Sequence, residues 1–468
     1  MDLDGTLIKT DVLLESVLLL LKKNPFFLFV LPVWLIKGRA YLKQQIAQRV
    51  KLRCDLLPTN PQFLDYLQTQ QQEGRDLILI SASNQEPVRQ ISNHFGIFID
   101  AIGSDGSVNL KAENKLARIL QLNSESTFSY AGNSSADIPI WKEAGEVLAV
   151  NCNSALPYND FDEEDSEDSI RVFDAPASVL GSFWKAMRPH QWLKNILLFL
   201  PLMLSHQFNQ LDLVLQAVTG FISFSLCASS VYFVNDMLDL ESDRQHHGKS
   251  SRPFASGELP LAYGFFGAPL LLIAAFLVAT LLPVEFFLML LAYYFLTVFY
   301  SLSLKRFFFI DAITLTTLYT LRIVAGSAAI FVTTTQWLLW FSFLMFTGLA
   351  LLKRYTETNK LQGQQDTLVQ GRAYSAANRK MLSAVGITCS ALAVVVYMFY
   401  IMAPETTVLY SSPALLWGVS PLLLYLLARI WSKAFRGELE EDPLLFAIRD
   451  LQSQILVVLC GVVIFLAI

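Results

Sequence analysis

The hydrophobic pattern divides this chain into two regimes. Over roughly the first 150 residues, short strand-like runs such as LILIS, ending at Ser81, sit among charged residues, as in a soluble domain. From about Trp184 onward, long apolar runs dominate, and the basic residues mark their limits. No Lys or Arg occurs between Lys194 and Arg244, Arg252 and Lys305, or Lys380 and Arg429. Each interval is roughly fifty residues, the length of two bilayer-crossing helices and a short outer loop. The interval from Arg322 to Lys353 is equally free of them, and its hairpin begins near Phe307, with Arg322 inside its first helix. A last apolar run reaches Ile468. The pattern therefore predicts nine membrane helices, with the basic clusters and the amino-terminal region on the cytoplasmic side.

Two shorter apolar runs lie between Val12 and Ile36, separated by Lys22-Lys23-Asn24-Pro25. Each has about ten residues, too few to cross a bilayer. They read as an interfacial hairpin that docks the soluble domain on the membrane, or as a cap helix pair buried against its own domain. Between the regimes, residues 158–169 (YNDFDEEDSEDS) are too acidic to bury a core, which predicts a flexible tether over 153–183. The expected domains are thus 1–152, with an insertion at 12–50, and 184–468.

Composition agrees: 53% of residues are hydrophobic and 16% charged, too apolar for an ordinary soluble protein of this length. The net charge of −5 owes much to the acidic segment and gives no indication of a nucleic-acid partner. Five scattered cysteines form neither a disulfide framework nor a zinc site. No removable signal peptide is expected.

Candidate chemistry concentrates between Ser230 and Pro253. Asn235, Asp236, Asp239 and Asp243 end an apolar helix, most of them on one face. Carboxylates crowded in this way repel one another unless a cation compensates. With Arg244, Lys249 and Arg252 just beyond, the segment has the outline of a divalent-metal site that holds a diphosphate, against the plainer reading of a solvated acidic helix end. Asp311 and Arg322 lie eleven residues apart on the fifth predicted helix and so face the same way. Charges at membrane depth usually line a polar cavity, although a structural ion pair with another helix would serve as well. Arg188 to Asn195, including Lys194, and Lys353-Arg354 bring further cations to the same side.

At the amino terminus, Asp2-Leu3-Asp4-Gly5-Thr6, Ser81, Lys115 and the run Gly132 to Asp137 occur in the order of the four motifs of the haloacid dehalogenase (HAD) superfamily, which this region resembles. The resemblance implies a Rossmannoid α/β domain. Asp2 would be a nucleophile and Asp4 a general acid and base, with Ser81 and Lys115 on the phosphoryl oxygens and Asn133 and Asp137 completing a magnesium site. Asn133 stands where many members have Asp. The motif also starts at residue 2, so either the true start lies upstream or the family's preceding strand is truncated, and a truncated strand would leave Asp2 on a frayed end.

The second half resembles the UbiA-type superfamily of intramembrane prenyltransferases, through the N-D-x-x-D-x-x-x-D motif of Asn235, Asp236, Asp239 and Asp243. A second D-x-x-x-D motif is incomplete: Leu315 follows Asp311. RPHQWLKN, SLKRFFFID, Thr320-Leu321-Arg322 and Lys353-Arg354-Tyr355 look like the decaprenyl-phosphate phosphoribosyltransferase branch. That resemblance implies Mg2+ held by Asn235, Asp236, Asp239 and Asp243, with Asp311 as a further ligand. Lys194, Asn195, Lys249, Arg252, Arg322 and Arg354 would contact substrate. The implied substrates are a polyprenyl phosphate and a sugar or prenyl diphosphate, in the inner membrane of a bacterium. Three functions compete: phosphoribosyl transfer to lipid, which the incomplete second motif favours and whose product the fused phosphatase could act on; the alternatives are aromatic prenyl transfer and a phosphatase on a silent membrane anchor.

Overall fold

The computed structural model describes residues 1–105, 110, 112–122, 127–152, 170–173, 178–359, 373–439 and 443–468. They form two compact units, Met1–Met187 with Tyr232–Pro269, and Arg188–Val231 with Leu270–Ile468.

In the first unit, parallel strands β1 (Ile78–Asn84) and β2 (Asp100–Ser104) pair, as do β3 (Ser129–Gly132), β4 (Glu146–Val150) and β5 (Ile170–Phe173), also parallel. Helices 61–72, 85–95 and 113–122 alternate with the strands, the mark of an α/β fold. Met1 and Asp2 join the two strand groups: the Ile80 amide donates to the Met1 carbonyl and the Asp2 amide to the Ala131 carbonyl, each at 2.9 Å. Asp2 is therefore anchored between β1 and β3 rather than frayed. Leu3, Leu7, Phe63, Leu79, Val88 and Val150 fill the core beneath. Strand β5 lies inside the stretch expected to be a tether; the acidic residues 158–169 fall outside the described residues.

The two apolar runs between Val12 and Ile36 form a helix pair, α1 (Val12–Lys23) and α2 (Phe27–Ile36), and a third helix, α3 (Arg39–Ala47), follows within the 12–50 insertion. Asp11 caps α1 by accepting the Leu14 amide at 2.8 Å. Helix α1 buries Val17, Leu18 and Leu20, whereas α2 buries only Trp34.

Seven helices are long and apolar enough to cross a membrane: Leu211–Leu238, Leu261–Ala279, Val284–Leu302, Ile310–Ala329, Gln336–Asn359, Ala376–Ile401 and Pro413–Phe435. The nine expected thus become seven among the described residues. The first predicted span is broken, with tight 3₁₀ turns over Pro189–Phe199 leading into Leu200–Leu204, and the last, Leu451–Ala467, has only 17 residues. Because lipid is as apolar as a side chain, close packing rather than hydrophobicity holds such helices together. Gly348 illustrates this: a Cβ there would lie 2.3 Å from Ser390 Oγ on the neighbouring helix.

Candidate functional site

The amino-terminal motifs converge in the first unit. Lys115 Nζ lies 2.9 Å from Asp2 Oδ1 and 3.9 Å from Asp137 Oδ1. Asp137 accepts the Asn133 and Ser134 amides and Ser134 Oγ, each at 3.1 Å, and Tyr130 Oη at 3.0 Å. Asp4 accepts the Val12 amide at 2.7 Å, the first turn of α1, so the insertion begins on the candidate acid itself. A Cβ on Gly5, whose φ is +77°, would meet the Asn133 side chain at 1.9 Å, and glycine alone satisfies both demands. Asp2, Asp4, Lys115, Asn133 and Asp137 line a cavity of about 280 Å³.

Ser81 is placed differently from the expectation. It is fully buried and donates to Asp4 Oδ2 at 3.1 Å, while Ser83 donates to the same oxygen at 2.7 Å and lines the cavity. Alternation along β1 sends residues 81 and 83 to one face, so S-x-S was the overlooked signal. Asp11 and Lys43 also line the cavity; Lys43 comes from α3 and reaches the Ala82 carbonyl at 2.5 Å.

Burial pushes Asp2 and Asp4 from 3.8 to about 6, assisted at Asp2 by the neighbouring carboxylates and opposed by Lys115. A carboxyl whose folded pKa exceeds its unfolded value binds more protons when folded. Its contribution to stability is therefore lost as pH rises from about 4 to about 6. The expected outcome is that Asp4→Asn, which cannot ionise, gains in thermal midpoint over wild type across this interval in chelator. Millimolar Mg2+ should narrow the gap if the carboxylates bind it.

The acidic motif lies in the same unit. Helix Leu211–Leu238 ends at Asp239, and a short helix, Leu240–Gln245, follows; the Asp239 and Asp243 amides still donate to the Asn235 and Asp239 carbonyls. Asp236 and Asp243 are buried and converge on Arg252, whose Nη1 lies 3.2 Å from Asp236 Oδ1 and 2.6 Å from Asp243 Oδ2. Burial raises the Asp243 carboxyl above its ordinary value, with Arg252 working against the shift. Two carboxylates sharing one positive group suit a hard cation. Asp239, half-buried, sits at the joint and Lys249 is exposed. Among the described residues, no group of three or more His, Cys, Asp or Glu side chains is arranged to hold a metal ion.

Beside the motif, Arg244 makes a two-pronged pair with Glu15 of α1, at 3.0 and 2.5 Å, and donates to the Ala255 carbonyl at 3.0 Å. Both side chains are buried. Gly257, with φ +78°, packs so closely on Lys9 that a Cβ would sit 2.6 Å from its carbonyl oxygen. Glu15 carried no sequence signal, since its partner is 229 residues away.

The second unit separates Asp311 from Arg322. Asp311 is 0% exposed and pairs with Arg354, 1% exposed, through Nε and Nη2; Tyr300 Oη donates to Asp311 at 2.8 Å. Both oxygens expected to bind a cation are thus engaged by Arg354. Arg354 also reaches Glu357 at 2.6 Å. Arg322 donates to Asn195 Oδ1 at 2.9 Å and Tyr293 Oη at 3.0 Å, and lies over the rings of Tyr293 and Tyr319. These acceptors are neutral. Asn195, expected at substrate, is buried and holds Arg322 while donating to Ser225 Oγ at 3.0 Å. Lys194, on the 3₁₀ segment, is half-buried.

This combination of apolar helices and a buried acidic motif has a counterpart: the UbiA prenyltransferase family matches residues 196–451. The chain belongs to the UbiA prenyltransferase family. It is accordingly an integral membrane protein and a transferase by family. The uncharacterized protein y4nM of Sinorhizobium fredii is 36% identical over 460 residues, 97% of this chain and 87% of that one. Decaprenyl-phosphate phosphoribosyltransferase of Mycolicibacterium smegmatis is 30% identical over 196 residues, which are 41% of this chain and 62% of the relative. A UbiA homolog from Archaeoglobus fulgidus, solved bound to GPP and Mg2+, aligns with a TM-score of 0.46 at 16% identity, covering 60% of this chain and 99% of its own. The UbiA match begins beyond the α/β region, which is consistent with a separate amino-terminal domain.

Proposed function

We propose that this UbiA-family protein transfers a phosphoribosyl group from phosphoribosyl diphosphate to a polyprenyl phosphate. The observation that carries the choice of donor is at Asp311. Leu315 follows it where a second acidic motif would continue, and Arg354 and Tyr300 engage its carboxylate. The acidic chemistry therefore concentrates in one motif, and the similarity to decaprenyl-phosphate phosphoribosyltransferase supports the same donor.

In the proposed reaction, an oxygen of the lipid phosphate attacks the anomeric carbon of the ribose. The bond from that carbon to the diphosphate oxygen breaks, and diphosphate leaves with the electron pair. Asp236, Asp239 and Asp243, with Asn235, would hold Mg2+, which supplies charge neutralisation for the leaving diphosphate. Arg252 and Lys249 bind phosphate oxygens beside them. Lys194, Arg322 and Arg354 are assigned to the anionic groups of donor and acceptor. The lipid phosphate is already an anion, so electrostatic stabilisation of the leaving group is the main catalytic contribution. Nine passes, counting 189–204 and 451–467, and a cytoplasmic amino-terminal domain in a bacterial inner membrane complete this reading, with domains at 1–152 and 184–468.

The cavity around Asp2 favours a second activity, hydrolysis of a phosphate monoester. Asp2 attacks phosphorus and the alcohol leaves with a proton from Asp4. Water, giving its proton to Asp4, then cleaves the aspartyl phosphate. Lys115 steadies the phosphoryl oxygens; Asn133 and Asp137 would share Mg2+ with Asp2. The transferase product carries a 5-phosphate of this kind.

Purified protein in lipid nanodiscs, given labelled phosphoribosyl diphosphate and polyprenyl phosphate, is expected to move label into lipid and then release inorganic phosphate. Asp2→Asn should abolish release alone. Label that enters lipid only from a prenyl diphosphate with an aromatic acceptor would replace the first reading. Phosphate release unchanged by Asp2→Asn would remove the second.

A further inference from the structure

We infer that helix α2 lies in the headgroup layer of an anionic bilayer, as a lipid-docking element of the amino-terminal domain. Nothing in this inference depends on either proposed activity. All ten residues of α2 (FLFVLPVWLI) are apolar, and its exposed side chains include Phe29 at 74% and Ile36 at 86%, with Phe26 at 75% just before it. Soluble surfaces rarely show a contiguous apolar patch of this kind unless something covers it.

Two features identify the cover as lipid. The first is charge. Lys22 and Lys23 precede α2 and Lys37 and Arg39 follow it, all exposed. A short apolar helix with cations at both ends matches an anionic headgroup layer, where the apolar body enters the acyl boundary and the cations meet phosphates. At about 15 Å, α2 is too short to cross. The second feature is continuity with a membrane helix. Trp34, the one buried residue of α2, packs in a cluster with Val17, Leu20 and Ile46, and Phe265 packs against the same cluster. Phe265 belongs to the first turns of Leu261–Ala279, one of the seven membrane-length helices, and its neighbour Phe266 is 76% exposed. The unpartnered face of α2 therefore continues a surface already assigned to lipid.

The insertion also reaches inward. Helix α3 follows α2 directly and carries Lys43 into the cavity of Asp2 and Asp4. A bilayer-seated α2 would hold that cavity near the membrane, where phosphate monoesters on lipids reside.

The test places the photoreactive p-benzoylphenylalanine at Phe29 in the full chain, reconstituted in vesicles of phosphatidylethanolamine and phosphatidylglycerol. Leu277, 64% exposed on a membrane helix, is the positive control, and Gln71, exposed on the polar helix 61–72, is the negative one. Phe29 is expected to give lipid adducts by mass spectrometry at a yield near that of Leu277 and about tenfold above Gln71. A crosslinked dimer of the chain would show that a second copy covers the helix and would overturn the inference. A yield equal to that of Gln71 would overturn it too, by placing α2 in water.

Discussion

Replacing Asp236 with alanine is expected to lower the proposed phosphoribosyl transfer about a thousandfold, the scale reached when a positioned electrostatic group is lost from a site that stabilises developing charge. The reason lies in how few anionic groups the motif brings together. Asp236 and Asp243 converge on a single guanidinium, that of Arg252. Without Asp236, a cation there would keep one carboxylate of the converging pair, and the leaving diphosphate would lose part of its neutralisation. Folding should change little: Arg252 keeps Asp243 at 2.6 Å, and a repulsion between two buried carboxylates disappears. Initial rates in nanodiscs, measured across a Mg2+ titration, check this. Retention of more than about a tenth of the wild-type rate at saturating Mg2+ would sink the assignment, because it would amount to only about 1.4 kcal/mol of transition-state stabilisation.

Arg354→Ala is expected to fail differently, by losing the fold. Asp311 is wholly buried and would be left with the neutral hydroxyls of Tyr300 and Tyr374 in place of a cation. Breaking a buried pair from one side costs about 3–5 kcal/mol, because the other charge is stranded. The double replacement Asp311→Leu with Arg354→Met removes both charges and should recover most of the loss, since well-packed apolar residues often match a buried ion pair. The readout is the apparent unfolding midpoint in detergent, followed by size-exclusion chromatography at a fixed heating rate. If the double variant folds and also transfers at the wild-type rate, Arg354 has no role at substrate and the pair is structural alone. If Arg354→Ala melts with wild type, the energetic argument is wrong.

Much of this was legible from spacing. Apolar runs bounded by basic residues located the seven helices of membrane length, and the resemblance to the HAD motifs named Asp2, Asp4, Lys115, Asn133 and Asp137, which line one cavity. What escaped were relations between residues far apart in sequence. Asp311 and Arg322 share a helix face by period, yet Asp311 turns to Arg354 and Arg322 to Asn195 and Tyr293, because helix periodicity says nothing about which neighbour each half of a face meets. The first predicted span is apolar enough for a helix, but it forms 3₁₀ turns over Pro189–Phe199. Strand β5 was hidden because four residues beside a highly acidic stretch carry too little pattern to register. Past the helix pair at Val12–Ile36, the chain turns at Gly38, where φ is +117°, into α3, a helix whose sequence is too polar to continue the apolar pattern.

The Glu15–Arg244 pair bears on how this protein can be taken apart. A cut at the acidic stretch would follow the boundary written in composition, and expression of 184–468 alone would appear to isolate a complete transferase. Such a fragment would leave the Arg244 guanidinium without Glu15, one residue from Asp243 of the acidic motif. It would also remove Lys9 from the close contact with Gly257. In energetic terms the amino-terminal region is the floor on which the acidic motif rests.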